Sequence, residues 1–198
     1  MVLILASRSP RRRFLLRGLA IDFRAVTPAE EDSPLEGRAG SYSRLARRAA
    51  RQKARSVARR GPEVVLGADT IVVCDGEVMG KPASATEARR MLCKLSGRRH
   101  QVYTGIALVS DGWNMDAYER TEVEFRSLSK AEIKRYVATG EPMDKAGAYA
   151  IQGKGAALIR AVRGCYTNVI GLPLPKLVAM LAEFERATGL RVWGRGNR

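Results

Sequence analysis

The chain reads as an α/β protein built on a mixed β-sheet. Short apolar runs alternate with amphipathic helical patterns along its 198 residues, as expected of a sheet covered by helices. Two Asp-Gly pairs, Asp75-Gly76 and Asp111-Gly112, are hairpin signals that make some neighbouring strands antiparallel. A third observation is the start of the chain, where an apolar run leads straight into a helix N-terminus.

Residues 2–6 form that first strand. Ser9 is suited to cap the next helix, residues 10–17, and Pro10 fits its first position because the missing N–H would be unpaired there. Strand patterns recur at residues 22–26, 64–68, 71–74, 101–110, 113–125 and 157–162. Helical patterns occupy residues 41–60, 86–95, 130–139 and 173–188. The stretches 147–155 and 164–175 read as loops long enough to carry function.

Composition bounds the function classes. A hydrophobic content of 45% is that of a globular protein, and no stretch is apolar for long enough to span a bilayer. Ser9 to Leu16 superficially resembles a twin-arginine export signal, but the apolar run precedes the arginines, and Arg17, Asp22 and Arg24 interrupt any apolar core on their C-terminal side. Cys74, Cys93 and Cys165 are widely spaced and odd in number, which predicts reduced thiols and a cytoplasmic chain. The net charge of +15 suits a protein that handles polyanions, yet no recognised nucleic-acid-binding pattern accompanies it.

Several residues carry chemistry. The N-terminus of the first helix offers backbone N–H groups and partial positive charge, and Ser7, Ser9, Arg11, Arg12 and Arg13 cluster around it, a combination suited to phosphate. On the helix at residues 41–60, Arg44, Arg48, Arg51, Arg55 and Arg59 share one face, which reads as a solvated surface ahead of a nucleic-acid groove. Lys53 instead lies within the apolar stripe of Ala46, Ala50, Ala54 and Val57. Burial of its charge requires a rim or an anion-holding cleft.

Asp69 stands between apolar runs, where a carboxylate needs a reason to be. It reads as a general base or metal ligand, with Gly67 admitting a ligand close to the backbone. Lys81 sits in the turn of Gly80 and Pro82, weak evidence by itself. Glu30, Glu31 and Asp32 offer hard oxygens to magnesium or manganese, or simply form a solvated loop. Gln152 closes a loop beginning at Asp144 and Lys145, and its amide can donate and accept toward a nucleobase edge. His100, the one histidine, reads as structural.

Taken in order, the segments around Ser7 to Arg12, Lys53, Gly67 to Thr70, Gly80 to Pro82, Leu95 to Gly97, Asp144 to Gly153 and Val169 to Pro173 resemble the Maf family of nucleoside triphosphate pyrophosphatases. The resemblance runs from about Leu3 into the final helix and leaves the tail after Gly189 unassigned. It implies one domain over residues 1–198, with the Maf/inosine triphosphatase-like fold and two lobes around a nucleotide cleft. It implies hydrolysis between the α and β phosphates with a divalent metal, magnesium or manganese.

Position by position, Asp69 matches the proton acceptor. Ser7, Arg12, Lys53 and Lys81 match phosphate-site positions, and Glu31 matches an acidic position that joins Asp69 near the metal. Arg11, Thr70 and Gln152 match the specificity positions of the dTTP/UTP subgroup, as opposed to the subgroup acting on 7-methyl-GTP. Arg8, Cys165 and Thr167 depart from the commonest family pattern. The expected partner is a nucleoside triphosphate, with no membrane. The Asp69, Lys53 and Lys81 set disfavours a non-enzymatic division regulator or nucleic-acid binder, while oligomeric state, homodimer included, stays open.

Overall fold

The computed structural model describes residues 2–29, 41–58, 61 and 63–192. Glu30, Glu31, Asp32 and Arg59 lie outside the described residues.

Strand β1 (Val2–Ala6) leads to helix α1 (Pro10–Gly18) and strand β2 (Phe23–Val26). Ser9 caps α1 as its sequence predicts, accepting from the N–H of Arg12, with Pro10 in the first turn. Next come helix α2 (Tyr42–Arg55), strand β3 (Glu63–Cys74), strand β4 (Glu77–Met79) and helix α3 (Ala85–Leu95). Strands β5 (Arg99–Ser110) and β6 (Trp113–Phe125) precede helix α4 (Lys130–Ala138), strand β7 (Ile159–Arg163), helix α5 (Tyr166–Ile170) and helix α6 (Leu174–Thr188).

The strands form one sheet in the order β2-β1-β3-β5-β6-β7, with β4 also paired to β3. β1 is parallel to β2 and β3, and the other pairings are antiparallel, so the sheet is mixed. Both Asp-Gly pairs turn hairpins, with Gly76 at φ 78° and Gly112 at φ 74°, backbone angles that favour glycine.

Three local departures from the sequence pattern have physical causes. The runs at residues 64–68 and 71–74 are one strand, because β5 pairs straight through the intervening polar residues, Asp69 opposite Gly105 and Thr70 opposite Thr104. Helix α2 ends at Arg55, where the Ser56 hydroxyl donates to the carbonyl of Lys53 and the chain turns away. The short α5 lies in a stretch whose pattern reads as loop. Its residues are too few for a visible period, and the Thr167 hydroxyl accepts from the N–H of Leu174 to join it to α6.

The faces of β3 divide the core. Val64, Leu66 and Ala68 pack with Leu16, Leu177 and Phe184 beneath α1 and α6. Further along the same face, Val72 and Cys74 join Met91, Leu95, Phe125 and Ile133 beneath α3 and α4. The opposite face lies against α2, through Ala50, Ala54, Val65 and Ala107. There the helix backbone rests almost on the sheet. A Cβ on Gly67 would come 2.1 Å from the carbonyl oxygen of Ala50, and one on Gly105 would come 2.2 Å from that of Ala46.

Candidate active site

The cleft originates in strand register. On one edge of β3, β1 pairs only as far as Gly67, and β4 begins pairing at Val72. Ala68, Asp69, Thr70 and Ile71 therefore lie between two partners on an edge that neither occupies. The N-terminus of α1 borders this gap on the β1 side and the turn of Gly80 to Pro82 borders it on the β4 side. The resulting cavity measures about 870 Å³.

All eight sequence-selected site residues that lie within the described chain line it: Ser7, Arg11, Arg12, Lys53, Asp69, Thr70, Lys81 and Gln152. The ninth, Glu31, lies outside the described residues. Among the described lining residues the cations are Arg8, Arg11, Arg12, Lys53, Lys81 and Lys145, against the carboxylates Asp69 and Asp144. Such an excess of positive charge in a concave site focuses its field on anions.

Successive residues of β3 point to opposite faces, so Asp69 and Thr70 serve different neighbours. Asp69 faces α2, where Lys53 Nζ lies 2.6 Å from its Oδ1. Both side chains are mostly buried, at 10% and 13% exposure. Lys53 thus meets the cleft as its place in the apolar stripe predicts, and its anion there is a carboxylate of the protein itself. Gly67 acts differently from the sequence expectation. The space its missing Cβ leaves is filled by the backbone of α2, not by a ligand.

Thr70 faces the other way. Its hydroxyl accepts from Arg12 Nη2 at 3.2 Å and shares a 2.9 Å hydrogen bond with Thr104. Arg12 is held on every side: Nε donates to the Gly171 carbonyl at 2.8 Å and Nη1 to Ser7 Oγ at 3.2 Å. Ser7 Oγ also accepts from the N–H of Ser9 at 3.1 Å. Burial lowers the Arg12 pKa from its ordinary value, opposed by the nearby Asp69 charge. A guanidinium remains charged even so, and Arg12 is a fixed cation on the cleft wall.

Arg11 reaches across to the loop before Tyr149, donating to Asp144 Oδ2 at 3.2 Å. Burial raises the Asp144 pKa, but Lys145 and Arg11 outweigh it and hold the group below the usual carboxylate range. Lys145 also donates to the Glu141 carbonyl at 2.6 Å. The neighbouring wall is fastened by the N–H of Gly147, which donates to the Gly80 carbonyl at 3.0 Å. Lys81 is thereby tied to the segment that carries Gln152.

The sequence pattern missed two polar supports behind this wall. Thr104 donates to the Asn168 carbonyl at 2.9 Å, and Asn168 Nδ2 donates to Val102 O at 3.0 Å and Thr121 Oγ1 at 2.9 Å. Their only signal is polarity inside apolar runs. His100 is structural, as expected. It is buried, hydrogen-bonded through Nε2 to the Tyr149 hydroxyl at 2.7 Å, and edge-on to Phe125. Cys165 and Thr167, whose Sγ and Oγ1 lie 3.2 Å apart, belong to the start of α5 and its junction with α6.

Residues 2–184 match the family described as Maf-like protein. The chain is 54% identical over 183 residues to the dTTP/UTP pyrophosphatase of Symbiobacterium thermophilum, covering 92% of this chain and 93% of that one. It is 48% identical over 196 residues to the dTTP/UTP pyrophosphatase of Moorella thermoacetica, covering 98% of each. In fold it is similar to the Ham1 protein of Staphylococcus aureus, with a TM-score of 0.52 at 16% identity, covering 93% of this chain and 100% of that one. Motif order, extent of the match and identity over nearly the whole length agree, and the chain belongs to the Maf family.

Proposed function

We propose that this protein is a nucleoside triphosphate pyrophosphatase that converts dTTP and UTP to the monophosphate and pyrophosphate. The observation that carries this reading is the convergence of eight residues, spread from Ser7 to Gln152, on one cationic cavity around the Lys53 and Asp69 contact. The relatives named dTTP/UTP pyrophosphatase support the same assignment.

In this mechanism a water attacks the α phosphorus, and the bond between that phosphorus and the bridging oxygen breaks. Pyrophosphate leaves, and Asp69 accepts the proton of the water. Lys53 fixes the orientation of that carboxylate. Arg12, Lys81 and the Ser7 hydroxyl bind the phosphate oxygens, where pre-placed cations stabilise charge that develops in the transition state. Arg12 needs no rearrangement, because Ser7, Thr70 and Gly171 already hold it. Gln152, Arg11 and Thr70 set base preference, Gln152 by direct contact with the base edge.

A hard divalent cation fits this donor set. Magnesium binds through one or two carboxylates and completes its shell with water and substrate phosphates, and Asp69 supplies such an oxygen beside the phosphate-binding cations. Asp69, joined by Glu31, would hold the metal, which when bound supplies Lewis-acid neutralisation of phosphate charge.

The test is pyrophosphate release across dTTP, UTP, CTP, GTP and 7-methyl-GTP with magnesium and with manganese. The expected result is release that is fastest with dTTP and UTP. Absence of pyrophosphate from every nucleotide overturns the enzymatic reading, and preference for a purine overturns the subgroup alone.

A further inference from the structure

We propose that the outer side of α2, together with the adjoining face of β6, is a groove for the backbone and bases of single-stranded nucleic acid. Gln52 lines both this groove and the cleft, but no arginine of α2 lines the cleft, and the proposal does not depend on the pyrophosphatase reading. The five-arginine helix face suggests only a solvated surface while it is seen as a sequence pattern. The folded chain adds an open space among the side chains of this helix and an aromatic neighbour on β6.

Arg44, Arg47, Arg48, Arg51 and Arg55, with Gln52, line a second cavity of about 590 Å³. Spacings of three and four residues place these guanidiniums along three turns, a span of about 16 Å at the helical rise per residue. Among the described residues one carboxylate offsets them. Asp116 of β6 binds Arg47 and Arg51, the latter at 2.7 Å. No carboxylate among the described residues pairs with Arg44, Arg48 or Arg55. Arg51 Nε is buried with no hydrogen-bond partner among the described residues.

The floor beside the helix supplies a stacking surface. Side chains at alternate positions of β6 share a face, so Asp116, Tyr118 and Arg120 stand together on the side that meets α2. Tyr118 is 41% exposed. Its ring is backed by Tyr103 at a centroid distance of 6.4 Å, and Tyr103 by Tyr42 of α2 at 5.8 Å. An exposed tyrosine on the strand beside the arginine face, with Arg120 next to it and two further rings behind it, is a combination by which single strands are held: guanidiniums track the phosphates and bases stack on the ring. A duplex hides its bases and cannot use Tyr118. The sequence-independent phosphate contacts and the strand's charge complement a chain of net charge +15.

The test uses fluorescein-labelled oligodeoxyadenylate with a 5′ hydroxyl, whose purines and lack of a triphosphate suit it poorly to the cleft. Binding is read by anisotropy over a salt series. The variants are Arg44→Ala/Arg48→Ala/Arg55→Ala, Tyr118→Leu, and a control of equal charge loss, Arg17→Ala/Arg89→Ala/Arg135→Ala, at exposed positions on other helices. None of these residues lines the cleft, so pyrophosphate release by each is expected to match the parent protein.

We expect the groove triple variant to lose tenfold or more in affinity. Its log–log salt slope should fall by about 2, since each single-strand phosphate contact contributes roughly 0.7. The control should change less than about twofold, and Tyr118→Leu should weaken single-strand binding several-fold without weakening binding to the matched duplex. Equal losses in the two triple variants, or tighter binding of the duplex by the parent protein, overturn the proposal.

Discussion

Lys53 and Asp69, on different elements of the fold, meet at 2.6 Å because a third residue, Gly67, has no side chain. Helix α2 lies on the sheet at backbone distance through Gly67 and Gly105, with Ala46, Ala50 and Ala54 as its contact surface. Larger residues at any of these positions would lift the helix. The ammonium would then withdraw from the strand edge where Asp69 faces the cleft.

That relationship makes Gly67→Ala a test of how the site is built. The added methyl group meets the carbonyl of Ala50 at 2.1 Å and the N–H nitrogen of Ala54 at 2.8 Å, both backbone atoms. Overpacking of this kind costs about 1–3 kcal/mol or more, and the surviving folded molecules should turn over more slowly because Lys53 is displaced. Gly18→Ala is the matched control. It has nothing within 4 Å and lies in α1, where alanine is favoured by about 0.5–1 kcal/mol. Denaturant midpoints and turnover per folded molecule decide it, and a Gly67→Ala protein as stable and active as its parent refutes this role for the glycine.

The legibility of the fold followed the scale of its signals. Long periodic segments and Asp-Gly turns are local, so β1, β6, α3 and α4 stand close to their expected bounds. The eight described site residues were selected from motif order: Ser7, Arg11 and Arg12 fall at a strand end and helix start and Lys81 and Gln152 in turns, while Lys53, Asp69 and Thr70 stand out as polar residues inside apolar patterns. What stayed hidden was relational. The role of Gly67 depends on which helix crosses it, and the burial of Thr104 and Asn168 depends on strand pairing and α5 packing. The support of Arg12 by Gly171 O joins positions 159 residues apart, and no window along the chain contains both.

Asp69→Asn should remain folded and lose about a hundredfold to ten-thousandfold in turnover, the range for removal of a general base. The amide keeps an oxygen acceptor for Lys53 but removes the charge opposite its mostly buried ammonium, so the thermal midpoint should fall while the protein stays folded. Near-parental pyrophosphate release with magnesium present would exclude Asp69 as the proton acceptor.

Lys53→Met has a dual effect. A methionine suits the apolar stripe of α2, but its introduction leaves the mostly buried Asp69 carboxylate without the ammonium. Breaking an enclosed ion pair costs about 3–5 kcal/mol, and contact with the cleft should hold this one to about 1–3 kcal/mol, near the cost of an unpaired polar group. The double variant Lys53→Met/Asp69→Asn should recover most of that stability while staying inactive. Equal stability of Lys53→Met and the parent would show that the contact contributes nothing to the fold.

His100 supplies a pH dependence. Burial lowers its pKa from 6.5 to about 4, so the folded state favours the neutral ring while the unfolded chain takes up a proton near pH 6.5. Stability associated with the neutral ring is therefore present above that pH and declines as pH falls toward 4, by about 3 kcal/mol from linkage over that interval. His100→Gln cannot titrate, and its stability should fall less between pH 6.5 and 4, even if it is lower at neutral pH through loss of the Tyr149 hydrogen bond. Parallel stability curves for the two proteins would rule out His100 as the source.

Gln152→Glu addresses base preference. Gln152 lines the cavity next to Ile151 and close in sequence to the Asp144 and Lys145 pair that anchors Arg11. An amide both donates to and accepts from a pyrimidine edge, whereas a carboxylate only accepts. A ligand carbonyl that faced the amide N–H then faces an oxygen and is left unpaired, at a cost of about 1–3 kcal/mol. The added negative charge also repels every triphosphate, so absolute rates should fall for all nucleotides, and the informative quantity is a ratio. In kcat/KM, dTTP and UTP should lose about fivefold or more beyond the loss seen with GTP. An equal loss across the panel would mean that residue 152 contributes charge to the cleft and no recognition of the base, and the specificity role would then pass to the part of the wall held by Arg11 and Asp144.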